Sequence, residues 1–401
     1  MKGLQILRLV VAAVLTLQAT AAICASHVAA ASAETLPKPG HVFIIVLENE
    51  GYRVTFGDQS PATYLKMLAR QGALLPNYYG IGHYSLDNYL ALVSGQAPNP
   101  VTQADCQSFV DFAATGTTRD GQAIGMGCVY PASVSTIANQ LEAKGLSWKA
   151  YMEDMGNDLN RDNSATCAHP EIGQPDGTQK AVAGDQYASR HDPFVYFHAV
   201  IDSPICAAHV VNLSALATDL ADEATTPRYA FITPNLCHDG HDGGGAKTCV
   251  DGQPGGLTSA DTFLADTVPG ILASPAFRHD GLLIVTFDES DSEGGDATRC
   301  CREPRGPNIK PGAMLVFGPT DKVPDKGPGV TGPGGGRIGA VLVSPLIKPG
   351  TVSKAPYNHY ALLKSIEDVF GLPHLGYAGQ KGLKSFGRDI FTANAPEHQH
   401  P

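Results

Sequence analysis

The chain has no long uninterrupted hydrophobic run, no stripe of basic residues and no repeated segment. Its longest early apolar run, residues 9–17, is shorter than the ~20 residues that a membrane-spanning helix needs. Acidic residues (39) outnumber lysine and arginine (28), and the formal net charge is −11. A polyanion such as DNA would be repelled on average, so we predict no nucleic-acid partner.

The short apolar run fits an export signal instead. Lys2 and Arg8 provide positive charge before it, and Ala31-Ser32-Ala33 has the small residues of a cleavage site. We therefore predict a signal peptide over residues 1–33, no stable membrane anchor, and a secreted or periplasmic protein. Cleavage would remove two cations and no acids, which makes the net charge −13.

The sequence also lacks any C-x-x-C pair, which argues against a structural zinc site. Eight of the nine cysteines would remain after cleavage, and an even number in an exported chain predicts disulfides. Eight cysteines allow roughly a hundred pairings, so the sequence does not determine them. We expect the local pairs Cys106–Cys128 and Cys237–Cys249, and we expect the adjacent Cys300 and Cys301 to bond elsewhere rather than to each other.

Apolar runs bounded by turn residues alternate with helical patterns, which predicts an α/β sheet covered on both faces. The strand candidates are residues 42–47, 146–152, 229–233, 282–287, 314–317 and 340–343, and the helix candidates lie near 62–70, 136–144, 261–272 and 357–370. No long linker divides the chain, so we predict one domain over residues 34–401. Within it we predict a mobile Gly/Pro-rich loop at 319–337 and a disordered tail at 390–401.

A histidine and a serine, His83 and Ser85, open a short helical pattern at residues 82–95. Ser85 or Asp87 could cap the first turn of this helix, and Gly95 could end it. Ser85 would then lie at a helix N-terminus, where backbone N–H groups and the helix dipole favour negative charge. A serine in this place is a candidate nucleophile towards phosphorus, and the alternative is an ordinary helix cap.

Polar side chains follow three of the predicted strands. They are, in chain order, Glu48 and Asn49, then the segment 234–242 (PNLCHDGHD), then Asp288, Glu289 and Asp291. In open α/β sheets, ligands bind at the carboxyl ends of the strands, so these side chains should meet Ser85 at one edge. Several acids in one place repel one another unless a cation binds between them. The sequence therefore predicts a divalent metal site at Glu48, Asp288 and Glu289.

Five segments together resemble the bacterial phosphoesterase family of secreted acid phosphatases and phospholipases C: HVFIIVLEN, HYSLDNYLALVSGQ, PNLCHDGHDG, LLIVTFDES and NHYALLKSIEDVFGLP. Their order and spacing are most similar to the phosphatidylinositol-3-phosphatase-like secreted acid phosphatases. The resemblance covers residues 41–373 and implies the alkaline-phosphatase-like fold, a three-layer α/β/α sandwich. In related sulfatases and nucleotide pyrophosphatases the nucleophile precedes the Gly of a Thr-Gly pair by ten residues. Here Gly95 follows Ser94, and Ser85 stands ten residues before Gly95.

The resemblance also implies roles for individual residues. Glu48, Asp288 and Glu289 match metal ligands, Asn49 matches a residue that ligates metal or binds phosphate, and Ser85 matches the nucleophile. The segment from Asn235 matches the family pattern Asn-x-x-x-Asp-x-His-Asp, so Asp239, His241 and Asp242 correspond to its later positions. Tyr84 and Asp87 depart from the residues that many relatives have, which bears on substrate fit. His191 and His359 are left without an assigned role.

The predicted function is a metal-dependent acid phosphatase that hydrolyses phosphate monoesters, with phosphoinositides among the candidate substrates. Ser85 would attack phosphorus in line, activated by a divalent ion (Ca, Mg or Zn), and water would hydrolyse the resulting phosphoserine. Asn49 and His83 would bind the equatorial oxygens, and His241 or His238 would protonate the leaving oxygen. Asn235 is a further substrate-binding candidate, and Asp239 and Asp242 are secondary site candidates. The partner would be a small phosphate ester or a phospholipid headgroup.

Three alternatives remain open. The nearest is a phosphodiesterase or phospholipase C, which would use much of the same machinery. A non-catalytic exported metal-binding module would need the acids but neither Ser85 nor the histidines. A sulfatase fits less well, because those enzymes need proline where Asp87 stands. The oligomeric state is not predicted.

Overall fold

The computed structural model describes residues 38–290, 296–309, 314–316, 322–324 and 334–391. The predicted signal peptide, Asp291, most of the predicted loop at 319–337 and the predicted tail beyond Phe391 lie outside the described residues. Within the described residues, no helix is both long enough and apolar enough to cross a bilayer.

Strands recur along the whole described chain. They are β1 (His41–Leu47), β2 (Ala73–Leu75), β3 (Tyr78–Tyr79), β4 (Ala113–Thr117), β5 (Ala123–Met126), β6 (Trp148–Met152), β7 (Val210–Asn212), β8 (Tyr229–Thr233), β9 (Gly281–Phe287), β10 (Met314–Val316), β11 (Lys322–Pro324), β12 (Ala340–Val343), β13 (Thr351–Val352) and β14 (Tyr357–Asn358). Eight of them form one mixed sheet in the order β13-β2-β12-β9-β1-β8-β6-β7. The neighbours of β1 are parallel to it, whereas β12 runs antiparallel to β9 and β2.

Helices alternate with these strands. They are α1 (Tyr52–Phe56), α2 (Thr63–Gln71), α3 (Ser85–Ser94), α4 (Ile137–Lys144), α5 (Leu159–Asp162), α6 (His198–Ile201), α7 (Pro204–His209), α8 (Leu216–Asp219), α9 (Gly256–Ala273), α10 (Pro275–Asp280) and α11 (His359–Phe370). All seven residues of β1 and of β9 are buried. Because successive side chains of a strand point to opposite faces, both faces of the central sheet are covered. This confirms the predicted α/β fold.

The helix predicted at residues 82–95 is α3, and it ends at Gly95 in the left-handed conformation (φ 65°). The prediction that Ser85 or Asp87 caps its first turn is wrong. The carboxylate of Asp105, which lies in the following irregular segment, accepts a hydrogen bond from the backbone N–H of Leu86 (3.0 Å) instead. A side chain from a remote segment therefore caps this helix, and local sequence could not show it.

Four disulfides are present: Cys106–Cys128, Cys167–Cys206, Cys237–Cys249 and Cys300–Cys301. The two local pairs expected from the sequence are confirmed. The expectation that Cys300 and Cys301 bond elsewhere is wrong. The other six cysteines meet one another in pairs, which leaves the two adjacent ones as partners, and Cys301 takes a positive φ (65°) there.

One acid in the interior allows a test of the packing of α11. Glu367 is fully buried; its Oε1 accepts a hydrogen bond from the backbone N–H of Leu375 (2.8 Å), and its Oε2 has no hydrogen-bond partner among the described residues. Burial raises the pKa of Glu367 to about 8. A raised carboxyl pKa favours the folded state while the group is protonated, so its contribution to stability is lost as the pH rises from about 4.5 towards 8.

We expect Glu367→Gln to be more stable than the wild type at pH 8, by about 1–2 kcal/mol, because the neutral amide removes the burial of charge. At pH 5 the two proteins should have similar stability, since Glu367 is then protonated in the folded state. Urea unfolding of both proteins at the two pH values measures this difference. A difference that does not change with pH would contradict the assignment.

Candidate active site

A cavity of about 730 Å³ opens where β1, β8 and β9 end. Its polar lining includes Asn49, His83, Ser85, Asp105, His241 and Glu289. Apart from Asp105, these side chains come from the segments that follow three different strands and from the start of α3. The expectation that the carboxyl ends of these strands meet Ser85 is therefore confirmed, and Asp105 is an addition that the sequence did not indicate.

Ser85 is hydrogen-bonded to a buried acid at this cavity. Its Oγ donates to Glu48 Oε2 at 2.7 Å, and Glu48 has no exposed surface. Asn49 Nδ2 is 3.4 Å from the same oxygen, and Asn49 takes a positive φ (61°) directly after β1. The serine proton is thus directed at a carboxylate, and the serine oxygen remains at the cavity surface.

Asp288 is held in place from several sides. Its Oδ1 accepts hydrogen bonds from the backbone N–H groups of Asn49 (3.0 Å) and Glu289 (2.6 Å). Its backbone carbonyl accepts from His359 Nε2 (2.6 Å), and His359 Nδ1 lies 3.1 Å from the Tyr78 hydroxyl. Because a carbonyl only accepts, His359 carries a proton on Nε2, and the neutral ring accepts from Tyr78 at Nδ1. Burial lowers the pKa of His359 to about 4, which fits this neutral form.

His191 lies between two buried acids, although the sequence gave it no role. Its Nε2 is 3.3 Å from Glu48 Oε1, and its Nδ1 is 3.1 Å from Asp239 Oδ2. Tyr89 of α3 stacks on the imidazole, with ring centroids 5.2 Å apart. His191 comes from a short 3-10 turn far from any predicted strand end, so periodicity carried no signal for it.

His241 is bonded at both ring nitrogens. Nδ1 is 2.8 Å from Asp242 Oδ1, and Nε2 is 3.3 Å from a terminal nitrogen of Arg190. Arginine only donates, so Nε2 accepts and Nδ1 donates to Asp242. Arg190 is buried and also lies 4.0 Å from Asp105, which makes it the cation within this group of acids. The sequence did not indicate Arg190.

Two of the predicted site residues that do not line the cavity, His238 and Asn235, are bonded instead to the acids that follow β6. His238 Nδ1 is 2.9 Å from Glu153, which follows β6, and its ring lies beside Phe263. Asn235 donates from Nδ2 to Asp154 Oδ2 (2.8 Å) and accepts from the backbone N–H groups of the turn that follows it. This placement makes Asn235 a residue that shapes the turn, and it favours His241 over His238 as the histidine at the cavity.

His83 lines the cavity and lies two residues before the start of α3. Its Nε2 donates to the backbone carbonyl of Asp296 (3.0 Å), and its Nδ1 is 3.4 Å from Glu289 Oε2. His83 has almost no solvent-exposed surface, although it forms part of the cavity wall. The carbonyl fixes which nitrogen carries the proton, so Nδ1 faces the site with its lone pair when the ring is neutral.

Burial, together with their mutual repulsion, raises the pKa values of the acids at the site. Burial, followed by the charges of Asp288 and Asp239, raises the pKa of Glu48 well above its usual value. Burial likewise raises the pKa values of Asp239 and Glu289, and it raises that of Asp288 to about 7. One buried arginine cannot balance this many carboxylates. The electrostatics therefore favour either protonation of the acids or an added cation.

Buried carboxylate oxygens without hydrogen-bond partners indicate whether a metal ion could bind here. Four buried carboxylate oxygens of the predicted site have no hydrogen-bond partner among the described residues: Glu48 Oε1, Asp239 Oδ2, Asp288 Oδ2 and Glu289 Oε2. Carboxylate oxygens are ligands that divalent cations accept, so the residues present fit such an ion. Within the described residues, the ligand atoms of Cys237, Cys249 and Asp251 lie within 4.8 Å of one another, which those of the acids at the cavity do not, but the two sulfurs form a disulfide and offer no thiolate.

Two relatives of this chain are named as phosphatases. A probable acid phosphatase of Kluyveromyces lactis is 31% identical over 334 residues, which cover 83% of this chain and 59% of that protein. A phosphatidylinositol-3-phosphatase of Mycobacterium tuberculosis is 22% identical over 347 residues, which cover 86% of this chain and 82% of that protein. The chain thus spans less than two thirds of the length of the yeast relative.

A solved structure of an alkaline phosphatase superfamily protein from Vibrio parahaemolyticus matches 89% of this chain and 72% of its own, with 14% identity and a TM-score of 0.47. The model of the Phosphoesterase family matches residues 55–373. That match covers most of the chain, including α3, the turn after β8 and the acids after β9. The protein therefore belongs to the Phosphoesterase family.

Proposed function

We propose that this protein is an acid phosphatase that hydrolyses phosphate monoesters through a phosphoserine intermediate and depends on a divalent metal ion. The observation that carries the proposal is the hydrogen bond from Ser85 at the cavity surface to the buried carboxylate of Glu48 (2.7 Å). The names of the relatives, acid phosphatases and a phosphatidylinositol-3-phosphatase, support the same reaction class.

The reaction has two steps. Ser85 Oγ attacks phosphorus, its O–P bond forms, and the P–O bond to the leaving alcohol breaks; water then attacks phosphorus and releases phosphate and the serine. Glu48 receives the serine proton, since Oγ already donates to it. Asn49 lines the cavity and would donate to the phosphoryl oxygens, and His83, whose Nε2 proton is bonded to the Asp296 carbonyl, would do so from Nδ1 in its doubly protonated form. A divalent ion held by Glu48, Asp288 and Glu289 would supply Lewis-acid stabilisation of the phosphoryl charge.

His241 is the proposed proton donor to the leaving alcohol. In the observed arrangement its Nε2 accepts from Arg190, so it has no proton to give at that atom. A role as acid requires Nε2 to be protonated and this hydrogen bond to be given up when substrate enters. Arginine binds phosphate oxygens strongly, so substrate offers Arg190 an alternative partner.

Phosphate monoesters, including phosphoinositide monophosphates, are the proposed substrate class. A monoester carries about two negative charges. Asn49 and Lys247 at the cavity, Arg190 beside His241, and His83 in its doubly protonated form would offer donors beyond a metal ion. The second candidate is a phosphodiesterase or phospholipase C. The volume of the cavity, about 730 Å³, favours it, because this space exceeds what a phosphoryl group needs.

Export is part of the proposal. The four disulfides of the described chain are typical of an oxidising compartment, which supports a secreted or periplasmic location after removal of residues 1–33. N-terminal sequencing of the protein recovered from the culture medium or periplasm would test the cleavage site. A start at Glu34 is the expected result, and a retained Met1 would contradict it.

The substrate class is tested by kcat/KM values for p-nitrophenyl phosphate, bis-p-nitrophenyl phosphate, phosphatidylcholine and phosphatidylinositol 3-phosphate. We expect the two monoesters to be preferred by at least tenfold, or ~1.4 kcal/mol in the barrier. A heat-denatured sample is the control for spontaneous hydrolysis. Faster cleavage of the diester or of phosphatidylcholine would replace the monoesterase proposal with the second candidate.

A further inference from the structure

Asp105 presents a hydrogen-bond acceptor to the cavity. Its side chain forms part of the cavity wall, although only 8% of the residue surface is exposed. Oδ1 accepts a hydrogen bond from the backbone N–H of Leu86 (3.0 Å), the residue directly after Ser85. Oδ2 accepts none from the residues that the structure describes, and it lies 4.0 Å from Arg190 Nε, too far for a hydrogen bond. This oxygen therefore has a positive charge near it but no donor.

The backbone around Asp105 holds the carboxylate in this place. Asp105 and Cys106 both take positive φ values (53° and 48°), a conformation that is unfavourable for residues other than glycine. The Cys106–Cys128 disulfide anchors the second of them. The backbone N–H of Asp105 donates to the carbonyl of Thr102 (3.1 Å), and its own carbonyl accepts from Gln179 Nε2 (2.9 Å). The side chain is thus directed to the start of α3 by contacts on several sides.

The carboxylate of Asp105 lies beside the place where the proposed reaction puts phosphorus. In-line attack sets phosphorus against Ser85 Oγ, and Ser85 is the first residue of α3. The next N–H group of this helix, that of Leu86, is the one bonded to Asp105. The oxygens of the proposed metal ligands would face the ion. Asp105 is then a carboxylate outside the metal set that a phosphoryl oxygen would meet.

A carboxylate in this place distinguishes tetrahedral anions by their protons. An ionised carboxylate accepts hydrogen bonds and donates none. Inorganic phosphate, or a phosphate monoester in its singly ionised form, keeps a proton that it can donate to Oδ2 in a charge-assisted bond. Sulfate and sulfate esters keep no proton, so their oxygens would meet Oδ2 as like charges. The same atom therefore accepts one anion and repels the other.

We propose that Asp105 is a specificity-determining residue, which accepts a hydrogen bond from a protonated phosphoryl oxygen and thereby excludes sulfate and sulfate esters from the site. The inference rests on the proposed function in placing the phosphoryl group at Ser85. Burial raises the pKa of Asp105, whereas the charge of Arg190 and the N–H of Leu86 oppose this rise. The test is therefore made at slightly alkaline pH, which favours the ionised carboxylate.

The experiment compares two anions of equal charge and similar shape. At about pH 8 inorganic phosphate is mainly HPO₄²⁻, with two charges and one proton, whereas sulfate has two charges and no proton. Isothermal titration of the metal-loaded mature protein gives both dissociation constants. We expect the wild type to bind phosphate at least about a hundredfold more tightly than sulfate, because repulsion replaces a hydrogen bond to a charged group.

Asp105→Asn should lower this ratio at least about tenfold. The amide oxygen can keep the hydrogen bond from Leu86, and the NH₂ group can donate to an oxygen of either anion. The change in the ratio carries the test, since phosphate is also the more basic ligand for a metal ion. The expected result is tighter binding of sulfate by the variant than by the wild type.

Two variants are matched controls. Glu50→Gln removes a negative charge from the wall of the same cavity. Asp261→Asn removes a carboxylate that caps α2 from a remote segment, where it accepts from the N–H groups of Tyr64 (2.9 Å) and Leu65 (2.8 Å). A distant charge acts equally on two dianions, and a helix cap away from the cavity acts on neither. Both controls should therefore keep the ratio within about twofold of the wild type.

Equal binding of phosphate and sulfate by the wild type would overturn the proposal, and this outcome needs no variant to fold. An unchanged ratio in Asp105→Asn, or an equal fall in Glu50→Gln, would also overturn it. These results are separate from catalysis. Hydrolysis of monoesters with an unchanged ratio in Asp105→Asn would remove this inference and leave the phosphatase standing. Selectivity that is lost in Asp105→Asn, in a protein that hydrolyses no monoester, would do the reverse.

Discussion

Ser85→Ala is expected to lower kcat for p-nitrophenyl phosphate by roughly four orders of magnitude or more, because it removes the proposed nucleophile. The decrease in the free energy of unfolding should be small. Ser85 Oγ makes one hydrogen bond, to Glu48 Oε2, and losing it costs about 1–2 kcal/mol. Stopped assays with the purified variant, together with its thermal unfolding curve, measure both effects.

Ser94→Ala is the matched control for this variant. Ser94 is the last residue of the same helix, is equally buried, and donates from Oγ to the carbonyl of Leu90 (2.7 Å). It should lose a similar amount of stability and keep its activity. Hydrolysis by Ser85→Ala at the rate of the wild type would refute the nucleophile and would favour a non-catalytic metal-binding module.

Asp288→Asn is expected to weaken divalent metal binding by at least about a hundredfold and to abolish hydrolysis. The substitution changes one oxygen of the side chain and leaves the hydrogen bonds of the other in place. The amide oxygen of asparagine can keep the hydrogen bonds from the backbone N–H groups of Asn49 and Glu289, while an NH₂ group replaces the unpaired Oδ2. The hydrogen bonds that position this side chain are thereby preserved, and a proposed charged metal ligand is lost. Elemental analysis and isothermal titration give the metal content and affinity.

Asp261→Asn controls for the loss of a buried carboxylate as such. Asp261 lies on α9 and accepts hydrogen bonds from the backbone N–H groups of Tyr64 (2.9 Å) and Leu65 (2.8 Å). This variant should lose stability at the start of α2 but keep metal and activity. Wild-type protein that stays fully active after exhaustive chelation, with no metal detected, would contradict the metal-dependent mechanism.

The sequence was informative where local pattern determines structure. Continuous apolar runs ended by turns marked β1, β8 and β9, and the polar residues directly after them could be assigned to one edge of the sheet. Ser85 could be found because helical spacing and a C-terminal glycine defined α3. These features depend on neighbours within a few residues, which a single sequence displays.

The parts that were missed depend on long-range contacts. Asp105, Arg190 and His191 come from irregular segments with no periodic pattern, and only the folded chain brings them to the acids. His238 was assigned to the site because it lies three residues from His241, yet Glu153 after β6 holds it elsewhere. The pairing of Cys300 with Cys301 depends on where the other six cysteines lie.

The cap on α3 affects the order in which the metal ion and the phosphate ester bind. Asp105 occupies the backbone N–H of Leu86 and faces the cavity, so the positive end of this helix is already neutralised by a carboxylate. Before any cation enters, an arriving phosphate dianion meets mostly negative charge and is repelled. Binding should consequently be ordered, with the ion first and the ester second. Inorganic phosphate should bind measurably to the metal-loaded protein and only weakly to the chelated one.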